Sequence, residues 1–233
     1  MEEEQEKKKS EEETKSPKES KAKGKKPKIE KEIYWIVGFM IGLIVLFLIA
    51  SAVFKELKKF DYQGLTFTKE KYGTIPFYNY YYTFTDANGL AKAYSMNIRT
   101  DPRENNVSFN ADIKFQQLKP VYLSIDETDL IQCEQSRPAV ANLASFFQGN
   151  EISIIPAIPN RNKAEEREVA YANCENRPGS TVVQIQKGEE TKITQINNCY
   201  LIEIANCEEM TPALEKFMVE TLVQARARGT FYV

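Results

Sequence analysis

The chain has 233 residues, with 31 Lys and Arg against 33 Asp and Glu, a formal net charge of −2 and no histidine. Without histidine there is no Ser-His-Asp or Cys-His catalysis, no histidine-ligated metal and no histidine acid–base chemistry. Neither a phosphate-cradling glycine loop nor a Cys-x-x-Cys pair is present, so nucleotide cradles and thioredoxin-type redox chemistry are not expected, and no cofactor is.

Residues 1–32 are almost entirely Glu, Lys, Ser and Gln, acidic at first and then basic. With essentially no apolar side chain before Ile29, this tail cannot offset the entropy of ordering, and the composition predicts disorder. Its lysine run reads foremost as an orientation signal and solvated spacer, with attraction to anionic headgroups as the functional alternative. No aromatics or arginines interleave the lysines to read bases, so a nucleic-acid partner is not expected.

Ile33 to Phe54 follow as 22 uncharged, mostly apolar residues with lysine clusters at both ends. At about 1.5 Å per residue, a helix of this length covers the roughly 30 Å hydrocarbon core of a bilayer. Eight lysines between Lys15 and Glu32 outweigh Lys55, Lys58 and Lys59 beyond the run, which predicts a cytoplasmic tail and an extracytoplasmic C-terminal domain in the cell membrane. Tyr34 and Trp35 suit the cytoplasmic interface. Ala50-Ser51-Ala52 offers a competing reading, a signal peptide cleaved after Ala52. The retained signal anchor is preferred, because the apolar run exceeds a usual signal core and the charged leader is long. Gly38 and Gly42 form a G-x-x-x-G, a face through which the helix would pair with a second copy. The lipid bilayer is thus the first expected partner. Residues 55–61 read as a juxtamembrane linker and 62–233 as the outer domain.

That domain opens with strands. Residues 77–84 are dense in aromatic and β-prone side chains, and Asp86-Ala87-Asn88-Gly89 makes a hairpin turn into a return strand carrying Leu90, Tyr94, Met96 and Ile98. Val107, Phe109, Ala111, Ile113 and Phe115 alternate with polar residues, the clearest half-buried strand pattern in the chain. Val121, Leu123 and Ile125 form another strand. A helix follows, with Ser136 as its cap, Pro138 in its first turn, Val140, Leu143, Ala144 and Phe147 on one face, and Gly149 at its end. Ile152 to Ile155 read as a buried strand, and 160–168 as a charged loop with a helical turn. Residues 181–186, 191–196 and 199–205 read as a three-strand meander. A closing helix begins at Thr211-Pro212, carries Leu214, Phe217, Met218, Leu222 and Ala225 inward, and ends at Gly229; Glu215 near its start and Arg226 and Arg228 in its last turn suit the helix dipole. Two helices among about nine strands predict an α+β fold, mainly antiparallel, with the second helix at the C-terminus.

Cys133, Cys174, Cys199 and Cys207 all fall in the domain, and an even count in an exported domain reads as two disulfides. Three connectivities exist. Cys133–Cys174 with Cys199–Cys207 is preferred, because the second pair would close a short loop between a strand and the last helix. Asn106-Val107-Ser108 is an N-glycosylation sequon after a polar turn. Tyr78, Tyr80 and Tyr82 share one face of a strand, with Tyr81 on the other; they form either a docking face for a protein or glycan or a cover for the core. The carboxylate groups Asp126, Glu127 and Asp129, and Glu208 and Glu209, are the candidates for acid–base or cation chemistry, and solvated loops are the simpler account of both. The functional expectation is a single-pass protein displaying a non-catalytic, β-rich interaction or structural domain. The alternative is a surface enzyme that uses carboxylates or a Ser-Lys pair instead of histidine.

Overall fold

The computed structural model describes residues 29–85, 89–116, 119–126, 130 and 132–230. The charged tail through residue 28, the hairpin residues Asp86, Ala87 and Asn88, and Glu127, Thr128 and Asp129 lie outside the described residues. The chain divides into two compact units, Met1–Ala52 and Val53–Val233.

Helix α1 spans Ile29–Glu56 and contains the apolar run Ile33–Phe54, the one helix among the described residues long and apolar enough to cross a membrane. A core helix hides an apolar stripe. Here none is hidden: Trp35 is 82% and Phe47 72% exposed.

In the second unit, sheet A joins β1 (Lys59–Tyr62), β2 (Leu65–Tyr72), β3 (Ile75–Thr85) and β4 (Ala91–Ile98) in chain order, all antiparallel. The β1–β2 connection is two residues, Gln63 and Gly64, with φ of 48° and 81°. Positive φ at both positions is the tight turn whose twist matches the flanking strands. Because β1 begins at Lys59, part of the expected linker is a strand.

Sheet B has the order β5 (Ser108–Asn110), β10 (Lys192–Ile196), β11 (Cys199–Ile204), β9 (Thr181–Lys187), β6 (Val121–Ile125), β7 (Ile154–Ile158) and β8 (Ala170–Tyr171). Only β10 and β11 pair antiparallel; every other pair is parallel. The expected meander is therefore replaced by a different order, with β11 inserted between β9 and β10 and parallel to β9. The physical reason is burial. Thr181 to Ile185 are buried on both faces, as are most of β11, so these two strands take the sheet interior while the more polar β10 moves outward.

Among the described residues, the unit also contains the helices α2 (Ser136–Gly149), the short α3 (Arg161–Glu166) and α4 (Met210–Arg228). α2 and α4 pack on each other and form the middle layer between the sheets. Toward sheet B, Phe147 meets Phe115 and Phe217 meets Tyr200. Toward sheet A, Phe146 meets Tyr94, and the α4 side chains Glu215 and Lys216 bond to groups following β4 and at the end of β1. α4 is accordingly buried around most of its circumference, Glu215 and Glu220 included. The architecture is α+β.

The strand expected over 107–115 forms a ladder at Ser108–Asn110 and an isolated bridge at Phe115. Between the two the backbone bonds to side chains: Asp112 N–H to Gln195, Ile113 N–H to Gln224, and Lys114 N–H to the Tyr200 hydroxyl at 2.6 Å. The alternation still governs burial, with Ile113 and Phe115 both closed off from solvent. Ser136 is not the α2 cap; Gln135 holds that position without a side-chain bond, and the buried Ser136 hydroxyl has no partner. Gly149 is required for contact rather than termination, since a Cβ there would overlap the Tyr94 ring. Gly229, at φ 77°, does end α4 in the left-handed conformation.

Candidate interaction surface

The register of sheet A decides which tyrosines are available. Leu65 and Phe67 of β2 are fully buried, and the residues of β3 on the same face are Tyr78, Tyr80 and Tyr82. Tyr78 is 5% and Tyr80 8% exposed, and Tyr82 is half-buried. They form a chain of ring contacts: Phe67 to Tyr80 at 5.5 Å, Tyr80 to Tyr82 at 5.1 Å and Tyr82 to Tyr94 at 5.8 Å. The Tyr82 hydroxyl donates to Asn150 Oδ1 at 2.5 Å, and burial raises its pKa above the ordinary phenol value. Of the two readings of these residues, their burial supports the cover for the core: Tyr78 and Tyr80 belong to it and Tyr82 packs against it.

The opposite parity faces solvent. Tyr81 is 67% exposed. Around it stand Thr66 and Thr68 of β2, Asn79 and Thr83 of β3, and Ser95 and Asn97 of β4; Tyr81 is directly opposite Ser95, and Asn79 lies between Thr68 and Asn97. The centre of this face carries hydroxyls and amides with no charge, and the charged residues lie at its rim, where Asp61 accepts from the Thr66 hydroxyl at 2.6 Å. Asn79 Oδ1 is shielded from water and has no hydrogen-bond partner, an acceptor left unused in the middle of the face. Sequence reasoning finds Tyr81 but not this ring of small polar residues, because the polar run of β2 carries no strand signal of its own.

All four cysteines are paired, but as Cys133–Cys207 and Cys174–Cys199. The preferred connectivity fails because Cys199 starts β11 and Cys207 follows its end, and an extended strand at about 3.3 Å per residue holds them far apart. Cys174–Cys199 instead ties the segment after β8 across the outer face of sheet B, where Cys174 N–H also bonds Gln184 Oε1 and Arg177 lies over the Tyr122 ring. Cys133–Cys207 joins the approach to α2 to the approach to α4.

Asn106 and Ser108 are both exposed just before the edge strand β5, so the sequon is accessible. Of the carboxylates, Asp126 is half-buried, Glu208 is exposed, and Glu209 accepts from the Thr191 hydroxyl while heading α4. No group of three Asp, Glu, Cys or His side chains placed to hold a metal occurs among the described residues. In α1, Gly38 and Gly42 hollow one helix face between Trp35, Phe39, Leu43 and Leu46.

Sequence reasoning also missed the buried charges. The sequence alone suggests only a dipole partner at Glu215. It is 3% exposed and accepts the backbone N–H of Arg99 at 2.7 Å and of Thr100 at 2.8 Å. Burial raises its pKa despite those bonds. Next to it, burial alone would lower the Lys216 ammonium, but donation to the Tyr62 hydroxyl and to Glu220 outweighs this and the pKa is raised. Asp101 is held below the carboxylate norm by hydrogen bonds from Arg103, whose guanidinium stacks 3.8 Å from the Phe60 ring centre. Glu215 and Lys216 thereby fasten sheet A to α4, and the Asp101–Arg103 pair packs on Phe60 of β1. No family model, curated protein or solved structure matches the chain.

Proposed function

We propose that the chain is a single-pass membrane protein whose tail is cytoplasmic and whose domain is displayed outside as a non-catalytic interaction module, with the outer face of sheet A as its docking surface. The observation that carries this reading is the union of an apolar helix with no buried side chain and a domain closed by two disulfides. The lysine excess before the span supports the orientation.

The face fits a neutral glycan. Sugar hydroxyls both donate and accept, which suits Thr66, Thr68, Asn79, Thr83, Ser95 and Asn97, and the exposed Tyr81 ring offers a stacking surface. A protein partner would call for a cluster of apolar anchors, and the centre of this face has one exposed ring; Tyr72, of the same parity, stands apart at the end of the β2–β3 hairpin. The hollow at Gly38 and Gly42 supports pairing of two spans.

The test is capture of cell-envelope polysaccharide by the intact protein. Tyr81→Ala should abolish capture and leave the melting temperature unchanged. Capture unaffected by Tyr81→Ala would remove this face from consideration. Resistance of the domain to a membrane-impermeant protease on intact cells would overturn the exported orientation.

A further inference from the structure

The β2–β3 hairpin runs past its neighbour. β1 begins at Lys59, opposite Thr68, and the ladder reaches one step further, with Lys69 N–H donating to Lys58 O at 2.8 Å. β2 then continues through Glu70, Lys71 and Tyr72, turns at Gly73 and Thr74, and returns from Ile75. Three further residues at about 3.4 Å each carry Tyr72 about 10 Å beyond Lys58. The overshoot points to the end of sheet A at which the chain enters the domain.

The chain entering there comes from the apolar run. Phe54, its last residue, is four positions before Lys58, and the backbone is helical to Glu56, so at about 1.5 Å per residue this link covers about 6 Å.

The tip has the side chains of a bilayer interface. Tyr72 is 66% and Ile75 45% exposed, side by side as a cross-strand pair, and Leu57 on the entering chain is 73% exposed. Hairpin tips in water are ordinarily polar. Lys58, Lys69 and Lys71 are exposed in the same stretch, whose acids are Glu56 and Glu70; Glu56 pairs with Lys59, Glu70 accepts from the Tyr72 hydroxyl, and Asp101 interacts with Lys69. An aromatic with a polar tip, an aliphatic neighbour and flanking lysines match the headgroup layer, where rings sit at the interface and ammonium groups reach phosphates.

We infer that the β2–β3 hairpin tip docks on the surface of the membrane that anchors the chain, with Tyr72 and Ile75 in the headgroup layer. This rests on the anchored reading above, and the experiment separates the two. Trp35 is the chain's one tryptophan and lies in the apolar run. In the intact protein reconstituted into phosphatidylcholine–phosphatidylglycerol vesicles, brominated lipid should quench Trp35, which reports the anchor. The double variant Trp35→Phe, Tyr72→Trp then reports the tip, and Trp35→Phe, Ile75→Trp gives a second reporter should the first fail to fold. Docking predicts bromolipid quenching of the tip indole, a blue-shifted emission and loss of quenching by aqueous acrylamide. A quenched Trp35 with a tip indole open to acrylamide and untouched by bromolipid overturns the docking alone. An unquenched Trp35 overturns the anchor and the docking with it.

Discussion

Sheet A joins four strands to their chain neighbours by hairpins, whereas sheet B pairs strands brought together from distant parts of the sequence, β5 with β10 and β6 with β9 among them. The first needs little beyond its turns to set its register, so only one of its faces has to be covered. The second has no local turn to fix most of its pairings, and it is covered on one face by two helices and clamped on part of the other by the segment that Cys174 ties down. The contrast places the covalent bonds where pairing is non-local and the open, uncharged face where pairing is local.

Removing the disulfides tests that division most severely. In the chain-entropy account, losing Cys133–Cys207, with a sequence separation of 74, should cost about 4 kcal/mol. Losing Cys174–Cys199, with a separation of 25, should cost about 3 kcal/mol on the same account. Paired Cys→Ser variants followed by urea unfolding measure both, and equal or reversed losses would show that loop closure is not what these bonds contribute.

The two faces of β3 give a sharper comparison. Tyr80→Ala opens a hole among Phe67, Tyr82 and the helix layer and should cost about 3 kcal/mol or more. Tyr81→Ala, one residue on and exposed, should stay within about 0.5 kcal/mol. Similar thermal shifts for the two variants would contradict the assigned parity.

The last comparison concerns the attachment of sheet A to α4. Glu215→Ala leaves the N–H groups of Arg99 and Thr100 without their acceptors and should cost about 2 kcal/mol. The sign with pH follows from the raised folded pKa. The group's favourable contribution is complete below its unfolded value near pH ~4.3 and is lost as pH rises through the folded value. Asp101 works in the other direction. Its folded pKa is depressed, so its contribution holds above about pH 4 and fades on stronger acidification. Stability measured across the mildly acidic range should therefore rise toward the acid side in the parent and flatten in Glu215→Gln. A parallel pair of curves would remove Glu215 as the cause.

How much of this was legible follows the same local and non-local divide. The apolar helix α1, the helix faces of α2 and α4 and the Gly229 cap depend on neighbours within a few residues, and the sequence pattern identifies them. The parity of β3 does not, because aromatics occupy both faces of Phe77 to Tyr82 and only Leu65 and Phe67 on the adjacent strand decide which face turns inward. The parallel insertion of β11 and the actual cysteine pairs depend on contacts that no run of residues announces. Glu215 was hidden for a related reason: a carboxylate in the first turns of a helix usually lies in water, and here sheet A covers it.

Helix α4 also fixes a schedule. It follows every strand in the chain and yet lies between the two sheets, so the hairpins of sheet A can form early while the apolar face that Leu65, Phe67, Tyr78, Tyr80, Met96 and Ile98 share has no complete cover. As the chain is made from its N-terminal end, that face waits for Met210–Arg228, the element farthest along the sequence. Until it arrives, the apolar face of β1 to β4 lacks its complete cover, and only the full-length domain can bury it.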